Sequence, residues 1–187
     1  DLPTPQALHS YLNKIVSRFR EQAQTAPVIL FHDNAVGANF ISDDLAGDII
    51  PVALEEITVA SVDHWLSVLA WGARQVLILN TDATSPTLTQ MLKGELSLAN
   101  SILDEMGQPQ RISLIDPSML ADLDSMLDIS LDWPVIVPAA FASTTKRNTL
   151  FEAIDHLNSQ AGEIDTCLSL NNIPFGKVSV NVEKCTM

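Results

Sequence analysis

The amino-acid sequence predicts an α/β fold, a doubly wound, mostly parallel sheet of about five strands with helices on both faces. Short apolar runs of strand length alternate along the chain with longer segments whose apolar residues recur at helical spacing. The short runs are apolar on consecutive residues, which is typical of strands buried on both faces. The helical segments are long enough to be the crossovers that parallel strands require.

Five apolar runs are predicted to be strands, and they lie at residues 28–31, 49–54, 76–79, 112–115 and 135–137. Together with the helices between them they define a predicted α/β domain over residues 1–162. In residues 163–187 the pattern changes, because turn-forming residues precede Val178, Val180 and Val182, which alternate with polar residues. We therefore expect a linker and a short β-type element after the first domain.

Helices are predicted over residues 5–24, 61–72, 86–106, 117–127 and 146–160. Pro5, Pro86 and Pro117 each follow a residue that can cap a helix, and proline is favoured in a first helical turn. Gly72 and Gly107 stand where two of these helices should end, in the position that favours glycine.

Composition limits the classes of function. The chain has 23 Asp and Glu against 10 Lys and Arg, for a net charge of -13, and no basic cluster reverses that sign locally. Nucleic-acid binding is therefore not expected. No apolar run approaches the roughly 20 residues of a membrane-spanning helix. The two cysteines, Cys167 and Cys185, fit a reducing compartment, so a cytoplasmic location is predicted.

Candidate chemistry lies at the predicted strand ends, because open α/β sheets bind ligands there. The candidate pocket residues are His32, Asp33, Asn80, Thr81 and Asp82. Asp33 could ligate Mg²⁺ or accept a phosphoryl group, with His32 as acid or base. The loop of residues 80–84 could hold an anion against the start of the following helix.

A purely structural role accounts for the same residues. Asp33 could shape the turn after its strand, and Ser85 could cap the next helix. The sequence contains neither of the glycine-rich motifs G-x-G-x-x-G and G-x-x-x-x-G-K-[ST], so nucleotide binding is not indicated. Asp63 and His64 are expected in a first helical turn, where Asp favours the dipole and His64 is partly exposed. No Ser-His-Asp or Cys-His arrangement is indicated.

The tail of the chain resembles a known type of domain. Its segments IPFGKVSV (173–180) and KCTM (184–187) resemble the opening strand of a bacterial-type ferredoxin domain, which leads into C-x₂-C-x₂-C-x₃-C-P. The resemblance implies that Cys185 is the first ligand of a 4Fe-4S cluster whose other ligands lie beyond Met187. No cluster is expected within residues 1–187, because two cysteines cannot supply four thiolates.

A second resemblance covers about a third of the chain. The segments AWGARQVLIL (70–79), QMLK (90–93), ILDEMG (102–107) and RISL (111–114) are similar to the delta subunit of methyl-viologen-reducing hydrogenase and its relatives fused to ferredoxin domains. That family is a small α/β domain that serves electron transfer. Its cluster-binding cysteines correspond to about Glu56, Thr81 and Pro86, and none of these is a cysteine here.

The two resemblances imply a non-catalytic scaffold or docking domain in a 4Fe-4S electron-transfer protein. Its partners would be ferredoxin-type modules of the same chain and a formate dehydrogenase or hydrogenase system. Two alternatives stay open. One is a small-molecule or phosphoryl-handling domain that uses Asp33, the loop of residues 80–84 and Lys146. The other is an interaction module that docks through its edge strand or acidic surface.

Overall fold

The computed structural model describes residues 5–23, 25–42, 45–142 and 145–161. Within them one parallel sheet has the strand order β2-β1-β3-β4. The strands are β1 (Val28–Asp33), β2 (Ile49–Leu54), β3 (Gln75–Leu79) and β4 (Ile112–Ile115). The predicted α/β class is confirmed, with four strands in the described part of the chain where about five were expected.

The helices are α1 (Pro5–Ala23), α2 (Val62–Ala70), α3 (Pro86–Glu105), α4 (Leu123–Leu131) and α5 (Lys146–Ser159). The helix predicted over residues 117–127 is divided, because a 3₁₀ turn over Pro117–Asp122 precedes α4. Gly72 and Gly107 follow α2 and α3 with φ of 100° and 64°, which confirms their predicted role in ending helices.

Side chains from both faces of the sheet are buried. On one face Ile29 and Phe31 pack in a large core with residues of α1, α2, α3 and α5. On the other face Val28 and Leu30 pack in a smaller core that includes Leu123 of α4. Burial of each large apolar side chain stabilises the fold by about 1.5 to 3 kcal/mol. The consecutive apolar residues of β1 are therefore explained by a strand covered on both sides.

The strand order places the ends of β1 and β3 side by side. The chain passes from β1 to β2 at one edge, returns through α2 to β3, and continues outward to β4. The connections from β1 and β3 therefore diverge, which makes this the switch point where doubly wound sheets bind ligands.

The prediction of a fifth strand over residues 135–137 is wrong. This segment has no regular secondary structure and does not join the sheet. Pro134 and Pro138 flank it, and proline lacks the N–H group that a strand ladder requires. The segment lies against α5, where Nε2 of His156 is 2.6 Å from the carbonyl oxygen of Val137.

Two predictions fall on residues that the structure does not describe. The β-type element in residues 163–187 and the proposed cluster ligand Cys185 lie outside the described residues. Among the helices of the described ranges, none is long and apolar enough to cross a membrane.

Candidate functional site

The structure brings the predicted strand-end residues together at the switch point. The Thr81 hydroxyl after β3 donates a hydrogen bond of 2.8 Å to Oδ2 of Asp33 at the end of β1. A cavity of about 480 Å³ lies beside them, and Asn80, Thr81 and Asp82 are among the residues that line it. His32 and Asp33 are buried and do not line this cavity.

The carboxylate of Asp33 accepts hydrogen bonds from the turn that follows β1. Its Oδ1 accepts backbone hydrogen bonds from Ala35, Val36 and Gly37 at 3.1, 2.6 and 3.0 Å, and Oδ2 accepts from Gly37 and Thr81. Burial raises the pKa of this carboxyl, but the hydrogen bonds together lower it below its usual value. A side chain at position 37 would lie 2.7 Å from Oδ2 of Asp33, so this close approach requires glycine.

This geometry favours the turn-forming role of Asp33. Successive backbone N–H groups can cradle a phosphate, but here they surround the protein's own carboxylate. The neighbouring His32 ring makes a short local contact, with Nδ1 2.9 Å from the carbonyl oxygen of Asp33. The Ser85 hydroxyl caps α3 by accepting from the N–H of Leu88 at 3.4 Å, as the structural alternative predicts.

A second polar centre was not predicted from the sequence. We call it the polar cluster, and its members are His9, Ser61, Asp63, His64 and Lys146. They come from the beginning of α1, the start of α2 and the first residue of α5, which meet at the carboxyl edge of the sheet.

Asp63 is the centre of the polar cluster and is fully buried. Its Oδ1 accepts from the Ser61 hydroxyl at 2.5 Å and lies 3.2 Å from Nζ of Lys146. Its Oδ2 lies 3.3 Å from Nε2 of His9 and 3.4 Å from Nδ1 of His64. Lys146 also donates to the Ser61 hydroxyl at 2.9 Å, which closes a triangle of polar contacts.

The expectation that His64 is partly exposed is wrong, because only 1% of the residue is exposed. Its ring stacks on that of His9 with centroids 4.0 Å apart, so α1 covers the start of α2. The N–H of Ser61 points to the same Nδ1 at 3.4 Å, at the capping-box position where histidine replaces the usual glutamate.

Two carboxyl groups in and near the polar cluster have pKa values shifted in opposite directions. Burial raises the pKa of Asp63, but His64, the Ser61 hydroxyl and Lys146 together lower it well below its usual range. Burial raises the pKa of Glu95 on α3, and the charge of Lys146 only partly offsets this increase. At neutral pH Asp63 is therefore the stable anion of the centre.

His9, Asp63 and His64 offer ligand atoms within 4.8 Å of one another, which is close enough to consider a metal ion. The two imidazole planes are within 14° of parallel and are stacked. A metal in the plane of one ring would lie well out of the plane of the other, and histidine ligates through its in-plane lone pair. The arrangement therefore favours an internal ionic network over a metal site.

The polar cluster also lacks the features of a nucleophilic site. The Ser61 hydroxyl donates to Asp63 and accepts from Lys146, so it faces an ammonium ion and a carboxylate of low basicity. An activated serine requires a neutral base that can take its proton. Ser61 is also buried, and its position as the cap of α2 accounts for the serine side chain.

Both polar centres are thus occupied by groups of the protein itself. Comparison of the chain with protein-family models, curated proteins and solved structures found no match. Since an α/β fold supports many functions, the function must be argued from particular residues and surfaces.

Proposed function

We propose that the chain is a non-catalytic docking domain of a 4Fe-4S electron-transfer protein of the ferredoxin type. The observation that carries the proposal is an exposed apolar surface, which we call the apolar ridge. It consists of Leu131, Val135 and Val137, whose exposed fractions are 63, 75 and 60%. Single exposed apolar residues are ordinary on protein surfaces, but grouped ones mark sites of association.

The members of the apolar ridge lie close together. Leu131 at the end of α4 and Val135 line the same pocket. Val135 and Val137 are both exposed, whereas Ile136 between them is buried. The segment therefore presents an apolar stripe beside the end of α4.

The partner that fits this surface is the ferredoxin-type module predicted to follow in the same chain. The end of α5 lies beside the apolar ridge, since the Val137 N–H donates to Oε1 of Gln160 at 3.4 Å. The predicted linker and ferredoxin-type segment, residues 163–187, directly follow in the sequence. Consecutive secondary elements are usually adjacent in space, and the predicted segment begins just after α5, which supports this module as the occupant.

A non-catalytic role is supported by the two buried carboxylates, because hydrogen bonds and ion pairs within the fold already engage them. The carboxylates of Asp33 and Asp63 are both bound by groups of the protein. The physiological electron-transfer partner of the parent protein, in this proposal, is a formate dehydrogenase or hydrogenase system.

The small-molecule alternative has one observation in its favour. The cavity beside Asn80, Thr81 and Asp82 opens at the switch point of the sheet. Titration with inorganic phosphate distinguishes the two functions. A phosphoryl-handling domain should show saturable shifts of the Asn80 and Thr81 amide resonances, whereas a docking domain should show none.

The proposed 4Fe-4S cluster is tested in a longer protein expressed from the reading frame beyond Met187. The proposal requires three further cysteines that complete the motif C-x₂-C-x₂-C-x₃-C begun by Cys185. After anaerobic reconstitution, Cys185→Ser should lose iron, sulfide and the charge-transfer absorbance of one cluster. A stop codon after Met187, or an unchanged spectrum in the variant, would overturn the iron-sulfur part of the proposal.

Docking is tested by hydrogen exchange in the same longer protein. The amides of residues 135–137 should exchange more slowly there than in residues 1–187 alone, because the module covers them. The double variant Val135→Ser/Val137→Ser should remove this protection. Met91→Ser is the matched control, since Met91 is also an exposed apolar residue but lies on α3. Equal exchange in the two chain lengths would contradict docking at the apolar ridge.

A further inference from the structure

A cavity of about 230 Å³ lies at the amino edge of the sheet, opposite both polar centres. We call it the guanidinium pocket, because Arg20, Arg74 and Arg111 all line it. Arg20 is in the last turn of α1, while Arg74 and Arg111 directly precede β3 and β4. Although the chain has only 10 Lys and Arg against 23 Asp and Glu, three of its arginines line this one cavity.

Two of these guanidinium groups are held in place without being neutralised. Nη1 of Arg20 donates to the carbonyl oxygen of Gly72 at 2.7 Å. Arg111 donates to the carbonyl oxygens of Arg74 and Pro134 at 3.0 and 2.6 Å. Among the described residues no carboxylate forms an ion pair with either side chain, whereas Arg74 pairs with Asp48 at 2.8 Å.

The lack of a carboxylate partner is most significant for Arg111, because Arg111 is buried. Only 1% of the residue is exposed, and its Nε has no hydrogen-bond partner in the described part of the chain. Burial lowers the pKa of Arg111 to about 10, so it still carries its charge at neutral pH. Buried charges are costly unless they are paired, and contacts to carbonyl groups alone do not require a cation.

The remaining wall of the pocket is largely apolar. Leu131, Trp133 and Ile136 line it, and Cζ of Arg111 lies 5.4 Å from the centre of the Trp133 ring. The volume corresponds to about eight water molecules at roughly 30 Å³ each. A ligand that fits these walls has a charged group at one end and a compact apolar body.

We infer that the guanidinium pocket binds a small organic carboxylate, held by Arg20 and Arg111, with its apolar body along Trp133 and Leu131. Guanidinium groups match the planar geometry of a carboxylate and bind it through charge-assisted hydrogen bonds. An inorganic anion would satisfy the charge but leave the apolar wall in contact with water. This inference does not depend on the proposed docking function.

The experiment uses benzoate as the probe and benzamide as its neutral counterpart, at constant ionic strength. Calorimetry and Trp133 fluorescence should show saturable binding of benzoate, with benzamide at least about tenfold weaker. Arg20→Gln should weaken benzoate binding by about tenfold or more. Arg18→Gln is the matched control, because Arg18 is an exposed arginine on the same helix and does not line the pocket.

Arg111→Gln tests the buried charge but also loosens the contact to Pro134, so Arg111→Lys is measured beside it. If both fail to fold, the Arg20 and Arg18 pair still decides the inference. Equal affinity for benzoate and benzamide would overturn it, as would equal effects of the two α1 variants or tighter binding of phosphate than of benzoate. Val137→Ser changes the apolar ridge outside the pocket, so it should leave benzoate binding to residues 1–187 unchanged.

Discussion

Replacing Asp63 with alanine should destabilise the domain by about 4 kcal/mol. The variant leaves the buried Ser61 hydroxyl without its acceptor and removes the anion that faces the buried His64 ring. Each buried polar group that loses its partner costs about 1 to 3 kcal/mol, so two such losses give about 2 to 6 kcal/mol. Lys146 adds little, because 59% of its side chain is exposed and its ion pair is screened by water.

The assay is thermal unfolding near pH 7. For a domain of this size each kcal/mol shifts the Tm by about 2 to 4 °C, so Asp63→Ala should lower it by about 8 to 16 °C. Lys146→Met should lower it by much less, since an exposed pair contributes about 0 to 1 kcal/mol. The contrast between the two variants separates the cost of unpaired buried groups from the value of the ion pair.

The pH dependence of this difference follows from the lowered pKa of Asp63. The folded state holds the carboxyl ionised below its usual pKa of 3.8, so its stabilisation is present above that pH. As the pH falls through the folded-state pKa, the stabilisation is lost. The Tm difference between the wild type and Asp63→Ala should therefore be largest above about pH 4 and narrow in more acidic solution.

Asp124→Ala is the matched control, because Asp124 is exposed and also lies in a first helical turn. Loss of its interaction with the helix dipole should cost only about 0.3 to 1 kcal/mol. If Asp63→Ala and Asp124→Ala have the same Tm, the polar cluster does not stabilise the fold in the way argued.

Three further measurements test other features. Glu95→Gln should raise the Tm near pH 7 but not below about pH 4. Burial raises the pKa of Glu95, so the folded protein disfavours the ionised carboxylate that glutamine removes. An unchanged Tm near pH 7 would contradict this. Gly72→Ala should cost more than Gly107→Ala, whose own cost is about 1 to 2 kcal/mol, since a side chain at 72 would lie 2.9 Å from Nη1 of Arg20 while position 107 is open. Zn²⁺ should not stabilise the protein, because the stacked histidines cannot both face one ion, and a rise of several degrees in Tm would refute that geometry.

Much of the fold could be predicted because each strand and helix leaves a local pattern. The prediction for β1 ends at Phe31, two residues before the strand does, because pairing continues through polar residues: His32 with Ala53, and Asp33 with Leu54. Backbone hydrogen bonds do not depend on side-chain polarity, so hydropathy alone misses such ends.

The false fifth strand has a different cause. Val135, Ile136 and Val137 resemble a buried strand in hydropathy, but only Ile136 is buried. The adjacent Pro134 and Pro138 already indicated a segment that cannot join a sheet in the usual way. A consecutive apolar run therefore predicts an interior strand only when its backbone donors are available.

The polar cluster could not be predicted in the same way, because it joins residues that are distant in the sequence. His9, Asp63 and Lys146 meet only after α1, α2 and α5 have packed. The sequence does contain one local signal, the spacing Ser61-x-x-His64. It resembles a capping box in which histidine is the third residue of the helix. That spacing indicates the start of a helix but says nothing about the lysine that completes the centre.

The two edges of the sheet use their charges differently, and this bears on where function should be sought. At the carboxyl edge Asp33 is bound by backbone amides and Asp63 by a hydroxyl and a lysine. At the amino edge, within the described residues, the hydrogen bonds of Arg20 and Arg111 go to carbonyl and amide oxygens. Charges already paired within the fold contribute to stability, whereas charges that are positioned and unpaired can bind a ligand. Although ligands of such sheets usually bind at the carboxyl edge, the unpaired charge and the apolar ridge of this chain both direct the search to the amino edge.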